Sequence, residues 1–448
     1  MLGLTQSATR GAVGLLALAA LMAAACSNEG GTPVSSTAAT TTTAAATTTA
    51  AATTTTTTTT VAVDTVRVAP DGSGDAPDLA SALAVVAPGG AILLEAGEHT
   101  LGGPLLIEAP VAIRGMGSGQ TTVIGESAPE LLHFAGPGNF TLEGITFRYE
   151  GTDGADGVVV EGGAISFTDV VVVGAVLGDE LGGSAFRLVG DTTGTLQRCT
   201  AEDNQGPGFF VGDNTDVRVT DSTASANGGS GFAWSGQATG AITASSAERN
   251  REDGFRITGA ATPDLTDNEA AANTEAGFRW SDTAAGKAEA NLAGNNGFSG
   301  FVVLDRARPT LTDNHAEENG DDGFLFKETS RATVARNRAT GNAWAGFRWV
   351  DQASGTAEAN TAAGNSDGFW VADQADPTLI GNTSHGHHTA AGNGSGLVFS
   401  GTAGGAARHN EIYDNDWGIA LGADAAPALA DNDVHDNTSN QVAGVAFG

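Results

Sequence analysis

Apolar side chains recur along this chain at an interval of about 23 residues, a period typical of repeat proteins. Each repeat contains a Gly-Phe pair, and the glycines of the regular pairs are Gly208, Gly231, Gly254, Gly277, Gly300, Gly323 and Gly346. Gly368-Phe369 follows one position earlier than this interval, and the last two pairs become Gly396-Leu397 and Gly418-Ile419. The regular period indicates an architecture in which each unit packs on the copies beside it.

The residue two positions after the Phe is large and apolar in every repeat, whereas the residue between them varies. The large residues are Val211, Trp234, Ile257, Trp280, Val303, Phe326, Trp349, Val371, Phe399 and Leu421. This alternation has the period of a β-strand. It predicts a short strand whose first and third side chains face a core and whose middle side chain faces outward.

Two columns of Asn run in phase with this strand. The first is Asn204, Asn227, Asn250, Asn273, Asn296, Asn319, Asn342, Asn365, Asn393 and Asn415; the second is Asn268, Asn291, Asn314, Asn337, Asn360, Asn382, Asn410 and Asn432. An Asn beside small residues suits a buried turn, where its amide can bond the backbone and the Asn above and below. Because the unit is too short for a strand–helix–strand crossover, the repeats predict an all-β stack of short strands, a parallel β-helix.

The Gly-Phe strand starts, the Asn columns and the inward apolar stacks resemble the right-handed parallel β-helix repeat proteins, the pectin-lyase-like superfamily that includes the pectate lyases. The resemblance extends from Val66 to the C-terminus. It implies a right-handed solenoid with about 22–23 residues per rung and a short capping helix at its N-terminal end. Asp78 or Ser81 can begin that helix, and Pro88-Gly89-Gly90 can end it. The resemblance implies no particular activity, because the catalytic motifs of its polygalacturonases, alginate epimerases and pectate lyases are absent.

Four segments are expected along the chain. Residues 1–25 read as a lipoprotein signal peptide, because Arg10 precedes an apolar run that ends in small residues. Cys26 lies where a bacterial lipobox places its lipidated cysteine; the alternative is ordinary cleavage nearby that leaves a bystander thiol. Residues 26–60, which are rich in Thr and Ala, predict a solvated tether. Residues 61–125 are the expected cap and first rung, and residues 126–448 the β-helix repeats, with a six-residue insertion at Thr383–His388.

The charge of the chain excludes one class of partner. The sequence has 52 acidic and 20 basic residues, which gives a formal net charge of −32. Such a surface repels nucleic acid. The second of the two cysteines, Cys199, falls where the second Asn column would continue backward, so we expect a buried and inert thiol.

The outward position of the Gly-Phe strand carries the candidate ligand-binding residues. They are Phe210, Arg256, Arg279, Arg348 and Trp370. A guanidinium pairs with carboxylate and an indole face stacks on a sugar ring, so this mixture suits a glycan, acidic or neutral. The alternative is a solvent-exposed sheet in which Arg neutralises nearby acids.

Two groups of residues are candidate metal ligands. One repeat position in five consecutive rungs is occupied by Asp282, Asp305, Glu328, Asp351 and Asp373. Hard carboxylate oxygens suit Ca²⁺, which this stacked column of acids could bind; the alternative is that the side chains splay into water, where salt screens their charges. The expected insertion supplies His385, His387 and His388, which could bind Zn or Cu, or could be incidental residues of an exposed loop.

These features favour a membrane-anchored extracytoplasmic lipoprotein that binds an envelope or extracellular polysaccharide. One alternative is a carbohydrate-active enzyme, a polysaccharide lyase, epimerase or glycoside hydrolase with an unrecognised site. Another is a structural or adhesive rod on the bacterial cell surface. A deep groove in which carboxylates and Arg converge would favour the enzyme, whereas an evenly decorated flat face would favour binding or a structural role.

Overall fold

The computed structural model of this protein describes residues 62–178 and 182–445. In these ranges the chain forms a parallel β-helix whose neighbouring strands are in register one repeat apart, as in Phe232, Phe255 and Phe278. The predicted signal peptide, Cys26 and the tether lie outside the described residues. No helix in the described part of the chain is long and apolar enough to cross a membrane.

The first sheet contributes one strand to each turn of the β-helix. Within the described ranges its fifteen strands are Leu105–Ile107, Glu130–Phe134, Asp156–Glu161, Phe186–Val189, Phe209–Val211, Phe232–Trp234, Phe255–Ile257, Phe278–Trp280, Phe301–Val303, Phe324–Phe326, Ala345–Trp349, Asp367–Val371, Ser395–Phe399, Trp417–Gly422 and Ser439–Val445. The predicted Gly-Phe strands belong to this sheet. Its side chains alternate between core and outer face, as the period-two pattern requires.

The second sheet contributes two consecutive strands to most turns, arranged as two faces. One face holds Val63–Val68, Val86–Leu94, Val111–Arg114, Asn139–Tyr149, Ala164–Val173, Thr193–Gln197, Asp216–Thr220, Thr239–Thr243, Asp264–Thr266, Lys287–Glu289, Thr310–Thr312, Arg331–Ala335, Ser354–Glu358, Asp376–Ile380, Ala406–Arg408 and Ala428–Ala430. The other face holds Gly97–Thr100, Thr121–Gly125, Thr200–Glu202, Thr223–Ser225, Ser246–Glu248, Glu269–Ala271, Leu292–Gly294, His315–Glu317, Arg338–Thr340, Thr361–Ala363, Thr383–His385, Glu411–Tyr413 and Asp433–His435. Two long strands, Asn139–Tyr149 and Ala164–Val173, run across both faces.

The expected N-terminal helix is present but shorter than its sequence pattern. It spans Leu79–Leu83, and the Asp78 carboxylate caps it by accepting the Ser81 N–H at 2.7 Å. The helix ends at Leu83, so the prediction that Pro88-Gly89-Gly90 ends it is wrong. Those three residues lie inside the strand Val86–Leu94, because that segment pairs with Val63–Val68 instead of continuing the helix.

The Gly-Phe side chains form one continuous aromatic stack in the core. From Phe186 to Phe369, neighbouring rings in the stack lie 4.6–4.9 Å apart and nearly parallel. The large apolar residues two positions later are also buried, including the three tryptophans Trp234, Trp280 and Trp349. Each ring therefore fills the space of one strand spacing and packs on both neighbours.

The two Asn columns form hydrogen-bonded ladders inside the turns. The Asn296 side chain donates to Ala270 O at 3.0 Å and to Asn319 Oδ1 at 3.0 Å, and its own Oδ1 accepts from Asn273. The second column repeats the arrangement from Asn268 to Asn432. The predicted internal pairing of the Asn amides is confirmed.

The second ladder continues backward through residues that are not Asn. The Cys199 N–H donates to Ser222 Oγ, and the next steps lead through Ser245 to Asn268. The Cys199 thiol is buried, and burial raises its pKa to about 12. The expectation of a buried cysteine in this column is confirmed.

The position of the insertion differs from the prediction. Thr383–His385 pairs with Thr361–Ala363 as an ordinary strand, and His387 takes the ladder place expected for Asn393. The six extra residues therefore lie at 388–393, before Ser395 returns to the first sheet. Asp416 holds this loop by accepting the Thr389 and Gly394 N–H groups, each at 3.0 Å.

Candidate functional site

The outer face of the first sheet carries a small apolar cluster that is separate from the core. It consists of Ala276, Val302, Leu325, Val350 and Ala372, with Leu304 and Trp370 packed against it. Val302 and Leu325 occupy the outward strand position, yet they are only 1% and 4% exposed. We call this group the outer cluster. The alternation pattern alone predicts that these outward residues are exposed to solvent. Neighbouring side chains shield them instead.

The predicted outward column is a real column of aligned residues. The register joins Phe210, Ala233, Arg256, Arg279, Val302, Leu325, Arg348, Trp370 and Val398 in successive turns. Arg279, Arg348 and Trp370 therefore lie beside the outer cluster. Phe210 and Arg256 lie further towards the N-terminal end, where Phe210 contacts the Arg187 guanidinium at 5.2 Å.

Arg279 closes one end of the outer cluster and is paired twice. Its Nε lies 2.8 Å from Asp253 Oδ2, and its Nη2 lies 2.8 Å from Glu275 Oε2. The Asp253 side chain is 1% exposed and also accepts the Ala276 N–H at 3.1 Å. Burial raises the pKa of Asp253, and the charge of Arg279 opposes that rise.

Arg348 closes the other end, where its contact with a buried carboxyl is longer. Its Nη1 lies 3.6 Å from Oδ2 of Asp322, a carboxyl with no exposed surface whose Oδ1 accepts the Ala345 N–H at 3.0 Å. Burial, followed by repulsion from the Asp321 carboxylate, raises the pKa of Asp322 to about 7. In both pairs the Arg follows its Asp by one full turn plus three positions.

Two tryptophans lie against the Arg348 guanidinium. The guanidinium carbon is 4.3 Å from the centre of the Trp344 ring and 5.5 Å from that of Trp370. The two indoles are 5.7 Å apart and nearly parallel, and Trp370 Nε1 donates to Ser400 Oγ at 3.0 Å. Trp344 is 45% exposed, so the group presents an indole to solvent beside a fixed cation. Aromatic surfaces of this kind stack on sugar rings.

Sequence reasoning missed the residues along one edge of the outer cluster. Phe298 and Trp344 occupy the same turn position two repeats apart, and both are exposed, at 38% and 45%. Asp321 holds the same position between them. The sequence does contain a pattern that could have identified them, because these two large aromatic residues occupy a turn position that is acidic in the neighbouring repeats. The pairing of Arg279 with the buried Asp253, and of Arg348 with the buried Asp322, was also missed, although the spacing within each pair repeats.

The column of five acids forms a ladder of its own on the turns that follow the first sheet. Each side chain accepts the backbone N–H of the previous turn's residue, at 2.7–3.2 Å, through Asp282, Asp305, Glu328, Asp351 and Asp373. All five have left-handed backbone, with φ between 53° and 59°, and Gly236, Gly259 and Gly401 take the equivalent place in other turns. Asp tolerates this conformation better than most residues, which explains its recurrence here. A hydrogen bond with Asp305 raises the pKa of Glu328.

The three predicted metal-binding histidines are not brought together. His387 is fully buried in the Asn ladder, where burial lowers its pKa to about 4. His385 stacks on Tyr413 with ring centres 5.0 Å apart, and His388 bonds Asp416 at 3.1 Å. In the ranges that the structure describes, no group of three or more His, Cys, Asp or Glu side chains could hold a metal ion.

Comparisons with known proteins agree with the geometry of the fold. A family model described as "Right handed beta helix region" matches residues 131–303 and 265–392. No curated protein matches the chain.

Solved structures with a similar course of the chain include a periplasmic alginate epimerase, AlgG. It is 12% identical, with a TM-score of 0.46 over 78% of this chain and 78% of that chain. The Azotobacter vinelandii mannuronan C-5 epimerase AlgE4 A-module is 16% identical, with a TM-score of 0.33 over 80% and 90% of the two chains. The Dettilon tailspike protein is 12% identical, with a TM-score of 0.39 over 82% and 68%.

Proposed function

This chain belongs to the right-handed β-helix family, and we propose that it binds a polysaccharide along the outer face of its first sheet. The observation that carries the proposal is the exposed Trp344, stacked with Trp370 and held by the Arg348 guanidinium beside the outer cluster. An indole fixed in this way loses little conformational freedom when a sugar ring stacks on it. Preorganisation of this kind increases affinity.

The shape of the face supports an extended ligand. Successive turns are about 4.8 Å apart, so the outward column from Arg279 to Trp370 extends about 19 Å along the axis. The two ends carry guanidinium groups and the middle is apolar. A linear chain of sugar rings laid along this column would reach the exposed Trp344 and the partly exposed Arg279 and Arg348.

Retention of the full-length protein on an array of polysaccharides tests the proposal, with release of oligosaccharide products measured on the same array. We expect retention without product release. Trp344→Ala and Trp370→Ala should each weaken retention about tenfold, the scale of one lost aromatic stacking contact. Leu106→Ala is the matched control, because Leu106 is an outward residue of the same sheet, 58% exposed and remote from the outer cluster.

Two outcomes would count against the proposal. Equal retention of the tryptophan variants and the wild-type protein would move the binding site elsewhere on the molecule. Release of products would replace binding by catalysis, the carbohydrate-active enzyme that the sequence left open.

We further propose that the protein acts outside the cytoplasm of a bacterium, anchored by lipid on Cys26. Support comes from the signal-like run of residues 1–25 and from the Thr- and Ala-rich residues 26–60, which would tether the β-helix to the membrane. Cys26→Ser should release the protein from the membrane fraction, and mass spectrometry of the wild-type protein should find diacylglycerol on Cys26. An unmodified Cys26 in the membrane fraction would contradict the anchor without affecting the polysaccharide site.

A further inference from the structure

We propose that the outer face of the first sheet selects uncharged polysaccharides over those that carry carboxylates. The inference rests on the proposed function and adds the class of ligand to it. Arginine in a sugar-binding face usually suggests an acidic ligand, because guanidinium and carboxylate pair through two parallel hydrogen bonds. The contacts of the arginines beside the outer cluster lead to the opposite conclusion.

The charge of Arg279 is already compensated within the protein. Its Nε and Nη2 each lie 2.8 Å from a carboxylate oxygen, of Asp253 and Glu275 respectively. A uronate that replaced Asp253 would leave a buried carboxylate without its partner. Breaking a buried ion pair in this way is strongly unfavourable, and the ligand gains no net charge attraction in return.

Arg348 is held by stacking on two indoles more than by pairing with a carboxylate. Its Nη1 faces the buried Asp322 at 3.6 Å, and its flat surface lies over the Trp344 ring at 4.3 Å. The side chain is 23% exposed, so little of the guanidinium remains available to a ligand. Arg348 therefore acts by positioning Trp344 rather than by pairing with a sugar carboxylate.

The other charges around the outer cluster are mostly negative. Asp321 lies at the edge where the strands begin, and the ladder of five acids follows the opposite edge of the sheet. Arg306, Arg308 and Lys327, the cations in the turns of that ladder, are fewer than its acids and offset only part of their charge. Together with the net charge of −32, this field repels a polyuronate.

The groups left for a ligand suit a neutral sugar. Phe298 and Trp344 lie two turns apart, a spacing of about 9.6 Å along the axis, which is close to the length of two sugar rings. Both offer exposed aromatic surface to the apolar faces of sugar rings. Asp321, between them, offers carboxylate oxygens to sugar hydroxyl groups, a contact that a uronate carboxylate cannot make.

A matched pair of polymers tests the inference with the full-length protein. Polygalacturonan and the same polymer after reduction of its carboxyl groups to primary alcohols differ in charge but share chain length and linkage. If polymers of this linkage are not retained in either form, the pair is made from another acidic polysaccharide of which at least one form, acidic or reduced, is retained. We expect retention of the neutral form to exceed that of the acidic form at least tenfold at low ionic strength. Added sodium chloride should narrow the difference, because salt screens the repulsion of the acidic form.

Variants distinguish the contribution of aromatic stacking to retention from that of charge repulsion. Phe298→Ala and Trp344→Ala should each weaken retention of the neutral polymer about tenfold, whereas Leu106→Ala should leave it unchanged. Asp321→Asn should increase retention of the acidic form, because it removes one repelling carboxylate.

Stronger retention of the acidic polymer, abolished by Arg348→Gln, would overturn the inference and leave the proposed function standing. Retention of no polysaccharide in either form would overturn the proposed function, and the inference with it.

Discussion

His387 interrupts the first Asn ladder at the level of a single residue. Its ring Nδ1 donates to Asn365 O at 3.0 Å, while its Nε2 is buried without a hydrogen-bond partner. The backbone N–H of His387 still donates to Asn415 Oδ1, so the ladder resumes one turn later. A buried acceptor without a partner destabilises the fold, and protonation of this ring would bury a charge as well.

We predict that His387→Asn stabilises the protein and flattens its response to acid. The pKa of His387 in the folded state is about 4, below the ordinary value of 6.5. The free energy of unfolding is therefore highest above pH 6.5, where the ring is neutral in both states, and it falls as the pH drops towards 4, because the unfolded state binds the proton more readily. This loss is on the order of 3 kcal/mol. Thermal unfolding between pH 4 and 7 measures it, with the exposed His409→Asn as control. A steeper acid loss in His387→Asn than in the wild-type protein would contradict the assignment.

A second prediction at the residue scale concerns the intact part of that ladder. Asn296→Leu removes the side-chain acceptor for Asn273 and the donor for Ala270 O, and it leaves Asn319 Oδ1 without its side-chain donor. Each buried polar group left unpaired costs about 1–3 kcal/mol. Chemical denaturation should show this loss, whereas Thr274→Leu, at an exposed position next to the ladder, should change little. Equal stability of the two variants would mean that water reaches the ladder.

At the scale of the strand, the aromatic stack gives the β-helix its continuity. Phe301 lies 4.8 Å from Phe278 and 4.6 Å from Phe324, measured between ring centres. Because every strand of the first sheet contributes only three to six residues in this region, each ring is a large part of the apolar contact between neighbouring turns.

Phe301→Ala should destabilise the protein by about 3–5 kcal/mol, because the two flanking rings cannot close the gap without shifting a whole turn. Phe301→Leu keeps most of the volume and should lose less than half as much. Urea denaturation of both variants provides the comparison. Similar losses for Ala and Leu would indicate that the stack matters through ring geometry rather than through filled volume.

The repeat made the strands and ladders predictable, because a single period fixed their register over many turns. Prediction from the repeat failed where two residues, His387 and Asn393, were both candidates for one position in the ladder. Asn393 matched the ladder by type, yet the six extra residues follow His387, and only the packing of Thr383–His385 against Thr361–Ala363 decides between them. The predicted end of the helix was wrong for a similar reason, since pairing with Val63–Val68 takes Val86–Leu94 into a strand.

The sequence predicted which residues form the outward column, but not which residues they contact. The outward positions of Arg279, Arg348 and Trp370 follow from alternation alone. Pairing with Asp253 and Asp322 depends on a contact between adjacent turns, which appears in the sequence only as a repeated spacing of one turn plus three positions. The exposure of Trp344 depends on how the turn before its strand is directed, and alternation does not report that direction.

At the scale of the whole molecule, the dominant feature is its charge. The whole chain has a formal net charge of −32, and acids at one repeat position of the β-helix lie about one strand spacing apart. The five-acid ladder offsets part of this repulsion, because each carboxylate accepts a backbone N–H of the previous turn. The remaining charge repulsion acts over longer distances and weakens as the salt concentration rises.

Replacing Asp305 and Asp351 by Asn distinguishes the stabilising hydrogen bonds of the ladder from the destabilising charge repulsion. Asn keeps an oxygen that accepts the N–H of the previous turn and tolerates the left-handed backbone, so the double variant loses charge but keeps the ladder. We expect a higher melting temperature than that of the wild-type protein in low salt, by a few degrees, and a smaller difference in high salt. Glu202→Gln with Glu269→Gln removes the same charge from exposed positions outside the ladder and should raise the melting temperature less.

Calcium chloride and sodium chloride at matched ionic strength complete this test of the ladder. If repulsion alone is at issue, the two salts should raise the wild-type melting temperature equally, because screening depends on ionic strength. An additional rise in calcium that disappears in the Asp305→Asn, Asp351→Asn variant would instead identify bound Ca²⁺ on the ladder. Because one oxygen of each carboxylate accepts an N–H of the ladder, that outcome would require a cation on the exposed side of the turns, where hard oxygen ligands could reach it without breaking the ladder.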